Sequence, residues 1–201
     1  MGMTASKAGT LDRRDVVRRL LENRGGLLVV AGLGAPAWDI TAAGDTPLNF
    51  PLWGGMGAAA MVGLGLALAQ PKRRVLVITG DGEMLMGIGA VATIAVQAPA
   101  NLAVVVIDNQ HYGETGMQET HTGHGVDLAA MAAGAGIPLT ATVRSESELA
   151  AAIPVIRGTA GPVFTVVKVT AENLPKVIPP REGAYLKDRF RIALLGDAAV
   201  F

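Results

Sequence analysis

The chain of 201 residues contains no cysteine, so it can form no disulfide framework and offers no thiolate chemistry. Its formal net charge is zero, with 17 basic and 17 acidic residues, which gives no sign of a nucleic acid or an anionic membrane as partner. Residues 1–10 lack the apolar segment of a signal peptide, and we therefore expect a cytoplasmic location. The apolar run 58–69 is shorter than the roughly 20 residues that a bilayer-spanning helix needs.

The chain is rich in small and apolar residues. Half of its residues are hydrophobic and 26 are glycine, so it can bury a sizeable core of closely packed elements, and its length suits one domain. Apolar stretches typical of buried strands alternate with stretches typical of helices, which predicts a three-layer α/β domain with a doubly wound, mostly parallel sheet. The predicted strands are 27–31, 75–78, 102–107, 138–143 and 162–169, with a short extended piece at 48–52. The predicted helices are 11–23, 58–69, 84–98 and 127–133, and one that opens at Ser145 with Glu148 as a capping box.

Two polar clusters follow two of these strands. Gly80-Asp81-Gly82 comes directly after strand 75–78, and Asp108-Asn109 comes directly after strand 102–107. Because the carboxyl ends of parallel strands form the ligand-binding edge of an open α/β sheet, we expect both clusters to lie at one site. Carboxylate and amide oxygens are ligands that Mg²⁺ prefers, and Mg²⁺ with so few protein ligands usually also holds phosphates. The sequence therefore predicts a magnesium-diphosphate site.

Simpler interpretations of the same residues stay open. Asp81 suits a tight turn between its two glycines, and Asn109 suits a strand cap. A P-loop is excluded, because the sequence holds no Gly-Lys-Ser or Gly-Lys-Thr and Lys72 precedes its strand.

The spacing of the two clusters resembles the cofactor motif of thiamine diphosphate enzymes over about residues 25–170. That motif is Gly-Asp-Gly, then roughly 25 to 30 residues, then Asn-Asn or a variant of it; here Asp108 replaces the first Asn and Asn109 keeps the second. The stretch 113–118 is similar to sulfopyruvate and phosphonopyruvate decarboxylases, whereas Gln110-His111 is similar to acetolactate synthases. The resemblance implies that Mg²⁺ is held by Asp81, Asn109 and the backbone carbonyl of His111.

The resemblance also implies which residues contact thiamine diphosphate. Gly34 stands at a corner where the family often has hydroxyl or imidazole side chains, so only backbone can serve there. Met56 matches the residue that wedges under the cofactor and holds it bent, and the carbonyl of Gly54 matches an acceptor for the aminopyrimidine; the alternative for Met56 is a core gap-filler. The full set of implied cofactor contacts is Gly34, Gly54, Met56, Gly80, Asp81, Gly82, Glu83, Asn109, His111, Tyr112 and Gly113.

The three histidines of the chain, His111, His121 and His124, fall within one polar stretch. A zinc site is possible but their spacing fits no helical pair and no cysteine assists. A substrate-facing loop is the preferred interpretation, with a substrate role for His121 or His124 weighed equally against a plain solvated loop. The arginines of the first helix (Arg13, Arg14, Arg18 and Arg19) are interpreted as a solvated face or partner surface rather than a nucleic-acid site.

By resemblance, the chain is the diphosphate-binding subunit of a 2-oxo acid decarboxylase, in which the cofactor acts as an electron sink while carbon dioxide leaves. The alternatives are an acetolactate synthase-like carboligase subunit and a non-catalytic cofactor-binding subunit. The family's activating glutamate lies in a pyrimidine-binding half without a counterpart here, so we expect an α partner subunit and an α2β2 or larger assembly. The predicted division is a disordered N-terminus (1–10), the cofactor-binding domain (11–170) and a tail packing on a subunit (171–201).

Overall fold

The computed structural model describes residues 9–200, and its centre is one sheet of six parallel strands. The strands are β1 (Leu28–Ala31), β2 (Asn49–Pro51), β3 (Val75–Gly80), β4 (Leu102–Asp108), β7 (Leu139–Val143) and β8 (Val163–Lys168), in the order β2-β1-β3-β4-β8-β7. A separate antiparallel pair consists of β5 (His111–Tyr112) and β6 (Gln118–Glu119). The predicted disorder of residues 1–10 falls, for residues 1–8, outside the described part of the chain.

Helices cover both faces of the sheet, which gives the predicted three layers. One face carries α1 (Arg13–Leu21), α2 (Ala35–Ala42) and α7 (Glu146–Gly158). The other carries α3 (Ala59–Ala69), α4 (Asp81–Met86), α5 (Ala90–Gln97), α6 (Leu128–Gly134) and α8 (Gly183–Leu195). Short 3-10 helices lie at His121–His124 and Gly196–Val200. Among residues 9–200, no helix has both the length and the hydropathy for crossing a bilayer.

The central strands are apolar runs because they are covered on both sides. Along β3, Val75 and Val77 face the layer of α3 to α6, whereas Leu76 and Ile78 face the layer of α1, α2 and α7. This alternation follows from the two-residue repeat of a strand, and fully covered parallel strands lose the polar half of that pattern. The predicted strands and helices agree with the observed ones to within about two residues, except for the helix after β3.

The helix predicted over 84–98 is two helices, so this prediction is wrong. The first, α4, begins at Asp81, and the helical conformation is interrupted at residues 87–89, before α5 begins. The break lies where Gly87 approaches the backbone of Gly57: a Cβ at Gly87 would stand 2.1 Å from the Gly57 carbonyl oxygen. Two backbones can approach so closely only without side chains between them, and that contact is invisible in the local sequence.

The prediction that the arginines of α1 form a solvated face or partner surface is wrong for Arg13. Arg13 is buried and pairs with the buried Asp39 of α2, to which Arg14 also donates at 3.1 Å. Burial raises the pKa of Asp39, and the two guanidinium groups act against that rise. Arg18 and Arg19 do lie at the surface, paired with Asp15 and Glu146.

The C-terminal tail holds α8, which the sequence interpretation missed. Its Phe190 packs on Phe50 with ring centroids 5.3 Å apart, and Arg189 forms two hydrogen bonds with Asp45. Before α8, the carbonyl of Pro180 accepts a hydrogen bond of 2.8 Å from Trp53 Nε1. These contacts fix the tail on its own chain; that its outer side packs on a neighbouring subunit stays a prediction.

The strand order changes direction at the centre of the sheet. From β1 the chain passes through α2 to β2 on one side, and from β2 it returns through α3 to β3 on the other side of β1. The segments leaving the carboxyl ends of β1 and β3 therefore diverge and leave a crevice between them. Such a crevice is where open α/β sheets bind ligands.

Candidate functional site

A cleft of about 160 Å³ occupies this crevice. Its walls come from the segments after β1, β3 and β4, from the loop before α3 and from the tail. The lining residues are Arg13, Leu33, Ala35, Pro36, Trp38, Met56, Gly80, Asp81, Gly82, Glu83, Ile107, Asn109, His111, Tyr112, Gly113, Glu114, Thr115, Glu172 and Asn173. The structure thus brings together nine of the eleven residues implied as cofactor contacts, and the other two, Gly34 and Gly54, lie beside it.

Two glycines of the cleft are required by close neighbours. A Cβ at Gly82 would stand 2.3 Å from the ring of Tyr112, so that ring lies directly on the Gly82 backbone. Gly34 has a φ of +79° and begins α2 without a side-chain cap, with Glu114 close to its Cα. Glycine is needed at both positions, because a larger residue would bring a Cβ against Tyr112 or Glu114.

Asp81 is the most constrained acidic group of the cleft. Its side chain is almost fully buried, and its Oδ2 accepts hydrogen bonds from Thr120 Oγ1 and, at 3.1 Å, from Thr122 Oγ1. Burial and the nearby charge of Asp108 raise the pKa of Asp81 to about 6, and the two threonine hydroxyls act against that rise. No cation of the described residues lies within 4.0 Å of this carboxylate.

Behind Asp81 lies a second buried carboxylate, Asp108, at the end of β4. Its Oδ1 accepts a hydrogen bond of 2.8 Å from Thr122 Oγ1 and one of 3.1 Å from the amide of Gln110. Its Oδ2 accepts a hydrogen bond from Lys168, which is itself buried at the end of β8. Thr122 therefore touches both carboxylates, and the strand ends β3, β4 and β8 are joined by one polar network.

Asn109 and His111 form a tight turn after β4. Asn109 Oδ1 accepts a hydrogen bond of 3.0 Å from the His111 amide, and His111 Nδ1 lies 2.9 Å from the Asn109 carbonyl oxygen. Gln110 between them has a φ of +64°, which turns the chain sharply at this point. Asn109 and His111 both line the cleft that Asp81 also lines.

Glu83 lines the cleft, but its carboxylate holds the walls together. It accepts hydrogen bonds of 2.7 Å from Thr79 Oγ1 and 3.4 Å from the Ala59 amide at the start of α3. It also lies against Gly32, where a Cβ would overlap its Oε2 at 1.6 Å. Burial raises the pKa of Glu83, and these hydrogen bonds act against the rise. The contacts tie the ends of β1 and β3 to α3.

The loop histidines do not enter the cleft. His121 and His124 lie in the 3-10 helix, exposed, and His124 pairs with Glu119 at 3.3 Å. Within residues 9–200, no group of three or more His, Cys, Asp or Glu side chains could hold a metal ion, which leaves the zinc alternative without support. The residues of this loop that reach the site are Thr120 and Thr122, whose hydroxyls bond Asp81.

Several cleft residues had no signal in the sequence. Arg13 was interpreted as part of a solvated face or partner surface, Trp38 lies in α2, and Glu172 and Asn173 come from the tail. Thr120 and Thr122 belong to a polar loop in which only the histidines were considered as candidate site residues. Two threonines separated by one residue are too common in loops to predict a binding site.

The donor set of the cleft fits a Mg²⁺ ion bound together with a diphosphate. Asp81 supplies a buried carboxylate without a cationic partner, Asn109 an amide oxygen and His111 a backbone carbonyl. Hard oxygen donors of this kind are the ligands that Mg²⁺ takes in proteins. A buried carboxylate is costly unless a cation accompanies it, so the chain's own energetics favour a bound cation there.

A family model described as "Thiamine pyrophosphate enzyme, C-terminal TPP binding domain" matches residues 34–167 of this chain. The chain therefore belongs to the thiamine pyrophosphate enzymes. The family prediction made from the Gly-Asp-Gly and Asp-Asn clusters is confirmed.

Several relatives carry decarboxylase names. Sulfopyruvate decarboxylase subunit beta of Methanothermobacter thermautotrophicus is 35% identical over 90% of this chain and 94% of its own length. The subunit beta of Methanocaldococcus jannaschii is 40% identical over 67% of this chain and 70% of its own length. Phosphonopyruvate decarboxylase of Streptomyces viridochromogenes is 36% identical over 81% of this chain, which spans 41% of that relative.

Solved structures support the fold. Benzoylformate decarboxylase of Polynucleobacter necessarius superposes with a TM-score of 0.66 at 22% identity, over 87% of this chain and 36% of its own. A "putative thiamin diphosphate-dependent enzyme" from Mycobacterium smegmatis superposes with a TM-score of 0.67 at 24% identity, over 85% of this chain and 34% of its own. The predicted α/β fold is confirmed, and the chain corresponds to about a third of each of these longer proteins.

Proposed function

We propose that this chain is the diphosphate-binding β subunit of a thiamine diphosphate- and Mg²⁺-dependent 2-oxo acid decarboxylase of the sulfopyruvate and phosphonopyruvate type. The observation that carries the proposal is the buried Asp81, which has no cationic side chain of residues 9–200 within 4.0 Å and lines the same crevice as Asn109 and His111 in a thiamine pyrophosphate fold. Full-length similarity to subunits named sulfopyruvate decarboxylase subunit beta supports the reaction class. A cytoplasmic location belongs to the same proposal.

Several residues of the site have specific roles in this function. Asp81, Asn109 and the carbonyl of His111 hold Mg²⁺, and Gly34 and Gly82 contact the diphosphate through their backbone. The bound cofactor supplies an electron sink for the decarboxylation. Met56 projects from the loop before α3 into the cleft and is 39% exposed, so it is available to prop the cofactor.

The site needs a second chain. A pocket that encloses a small ligand measures ~300–1,000 Å³, whereas this cleft holds about 160 Å³. Large apolar side chains lie exposed on the loop before α3 and on α3 and α4, and Met56 among them lines the cleft. Exposed apolar patches mark interfaces. These side chains are Trp53, Met56, Met61, Leu68 and Met86. We infer that a pyrimidine-binding α subunit covers this face, in an α2β2 or larger assembly.

Reconstitution tests the proposal. The purified chain, saturated with Mg²⁺ and thiamine diphosphate, is assayed for carbon dioxide release from sulfopyruvate, phosphonopyruvate and pyruvate, alone and with the proposed α subunit. We expect no turnover by the chain alone and turnover of an anionic 2-oxo acid by the mixture. Full activity of the isolated chain would show that no partner is needed and that an activating carboxylate lies within this chain.

The same assay separates the alternatives. Acetolactate synthase isozyme 1 large subunit of Escherichia coli is 29% identical over 67% of this chain, which spans 27% of that relative. A carboligase would convert pyruvate into a condensed acetohydroxy acid rather than an aldehyde, so product identification distinguishes it. A subunit that only binds the cofactor would show calorimetric binding without turnover on any substrate of the panel.

A further inference from the structure

The hydrogen-bonded network behind Asp81 contains a buried lysine, Lys168, which is not one of the proposed metal ligands. Lys168 ends β8 and Asp108 ends β4, and the two residues are partners in the parallel pairing of these strands. Lys168 is 4% exposed and Asp108 is 1% exposed, and their side chains form a buried ion pair. Asp108 is also the residue that departs from the Asn-Asn variant of the motif.

Two carboxylates meet at Thr122. Its Oγ1 lies 3.1 Å from Asp81 Oδ2 and 2.8 Å from Asp108 Oδ1. A hydroxyl has a single proton to donate, so it serves only one of the two carboxylates at a time. Two negative charges so close in a buried site repel each other strongly. Among the cationic side chains of residues 9–200, only that of Lys168 lies within 4.0 Å of either carboxylate.

We propose that Lys168 and Asp108 act as one unit that sets the charge of the metal site and, through Thr122, positions Asp81 for Mg²⁺. The inference rests on the proposed function, because it takes Asp81 as a metal ligand. Lys168 cancels the charge that Asp108 adds, so the site presents one net negative charge to the ion. Thr122 contacts both carboxylates, and together with Thr120 it orients Asp81.

The two partners should therefore be exchangeable only together. Asparagine at 108 alone would leave the ammonium of Lys168 buried without its anion, and removing one partner of a buried pair is strongly unfavourable. Lys168→Met alone would leave Asp108 as an uncompensated anion, which adds negative charge beside the ion and the diphosphate. Replacing both removes both charges and keeps the side-chain volumes close to the original ones.

The experiment is a double-mutant cycle with Asp108→Asn, Lys168→Met and their combination. Calorimetry measures the Mg²⁺ concentration for half-saturation at fixed thiamine diphosphate, and the cofactor affinity at saturating Mg²⁺. We expect Asp108→Asn to raise the required Mg²⁺ by about tenfold, because a bare cation then faces the ion. We expect Lys168→Met not to raise it but to weaken the cofactor about tenfold, because an extra anion then faces the diphosphate. The double variant should return to within about threefold of wild type.

A purely structural role of the pair predicts a different pattern. The two single variants would then lower the melting temperature, without a raised Mg²⁺ requirement in Asp108→Asn and without weakened cofactor binding in Lys168→Met. That result would overturn the proposal, as would additive effects in the double variant. The Asp45–Arg189 pair, in the described tail contact and away from the cleft, is the matched control. Asp45→Asn and Arg189→Met should change the melting temperature and leave both affinities unchanged.

Thr122 variants test the link if the buried single variants fold poorly. Thr122→Ser keeps the hydroxyl and should retain cofactor affinity, whereas Thr122→Val keeps the shape and should weaken it about tenfold. Equal affinities of these two variants would overturn the positioning step. Absence of Mg²⁺-dependent binding by the wild-type chain, alone and with its α subunit, would contradict the proposed function itself, which is a separate outcome from a failed cycle.

Discussion

The two edges of the central sheet carry opposite charges and use them differently. At the carboxyl edge, Asp81 lies buried without a cation among the described residues. At the amino edge, five basic side chains surround a second, more open cavity, and within residues 9–200 none of them has a carboxylate within 4.0 Å. They are Arg24, Lys72, Arg73, Arg74 and Arg157.

The guanidinium groups at the amino edge already have partners in the chain. Arg74 donates to the carbonyls of Ile156 and Thr159 at the end of α7, and Arg157 donates to those of Glu22 and Asn23 after α1. The last carbonyls of a helix lack intrahelical partners and carry partial negative charge, so cations suit them. An excess of charge by itself therefore does not mark a ligand site.

The carboxyl edge differs in that the Asp81 carboxylate accepts hydrogen bonds but has no cationic partner among residues 9–200. Asp81 accepts from two threonines, yet burial still raises its pKa to about 6. Arg24 at the other edge shows the mirror effect, since burial lowers its pKa to about 10, but carbonyl and amide oxygens surround its terminal nitrogens. The contrast predicts that substitutions at one edge affect binding and those at the other affect stability.

The largest expected effect is the loss of cofactor binding in Asp81→Ala. The substitution removes the charged ligand from a site that must offset the charge of a diphosphate, and we expect the affinity for thiamine diphosphate with Mg²⁺ to fall at least about 100-fold. Asp81→Asn keeps an oxygen acceptor for both threonines and should lose binding as well, because the charge is the decisive property. Calorimetry with both variants provides the measurement.

A matched control for this variant is Asp127→Ala. Asp127 caps α6 by accepting from the Ala130 amide at 3.0 Å and lies at the surface. Its loss should cost about 1 kcal/mol of stability and leave cofactor affinity unchanged. Undiminished affinity in Asp81→Ala would remove the basis of the metal assignment.

At the amino edge, Arg74→Met should destabilise the fold by about 3 kcal/mol, because helix-end carbonyls lose a charged donor. Urea unfolding measures the change, and cofactor affinity should stay at the wild-type value. Arg73→Met is the comparison, since Arg73 forms one hydrogen bond, with the Gly26 carbonyl at 2.8 Å, and its loss should cost about 1 kcal/mol. Equal effects of the two variants would contradict the role given to the α7 carbonyls.

Most of the fold could be predicted from the sequence. Apolar runs bounded by glycine and polar residues define the strands, and Ser145 with Glu148 forms the predicted capping box. The break in the helix after β3 could not be predicted, because it depends on Gly57, which comes from a distant part of the chain. The tail helix α8 was missed because only Leu186 and Phe190 in it are buried, too few to give a clear period.

The site was predictable where chemistry is local and not where it depends on packing. Asp81 and Asn109 stand next to strand ends, so their meeting follows from the topology of a parallel sheet. The pairing of Asp108 with Lys168 joins two strands that are adjacent only in space, and neither residue reveals its partner in the sequence. The same is true of Arg13 with Asp39: the sequence interpretation placed Arg13 on a solvated face or partner surface, because nothing in the sequence reveals its buried partner.

The two edges should also differ in their response to pH. Because burial and Asp108 raise the pKa of Asp81 from 3.8 to about 6, the folded chain binds this proton more tightly than the unfolded chain. The contribution to stability is therefore complete below about pH 4 and is lost as the pH rises through about 6. We expect a loss on the order of 2 kcal/mol without cofactor.

Urea unfolding of the cofactor-free chain between pH 4 and pH 7 measures this loss. Burial also raises the pKa values of Glu83 and Asp39, and both contribute with the same sign. The difference between the wild type and Asp81→Asn isolates the contribution of Asp81. Parallel curves for the two proteins would show that Asp81 has no raised pKa in the folded chain.

The smallest expected effect concerns Met56, the apolar element of the carboxyl edge. Its side chain lines the cleft and is 39% exposed, which argues against a core gap-filler. Met56→Ala should therefore change the free energy of unfolding by less than about 0.5 kcal/mol. In the reconstituted complex we expect kcat to fall about tenfold and cofactor affinity to change by less than about threefold, because a prop acts on the reacting geometry.

Met131 provides the control for exposure alone. It is 40% exposed on α6 and lies outside the cleft, so Met131→Ala should leave both kcat and cofactor affinity unchanged. A fall in stability with normal turnover in Met56→Ala would return Met56 to the packing role. A selective fall in kcat would instead show that Met56, an uncharged side chain of the same cleft, contributes to function. Positioning a bound cofactor requires shape as well as charge.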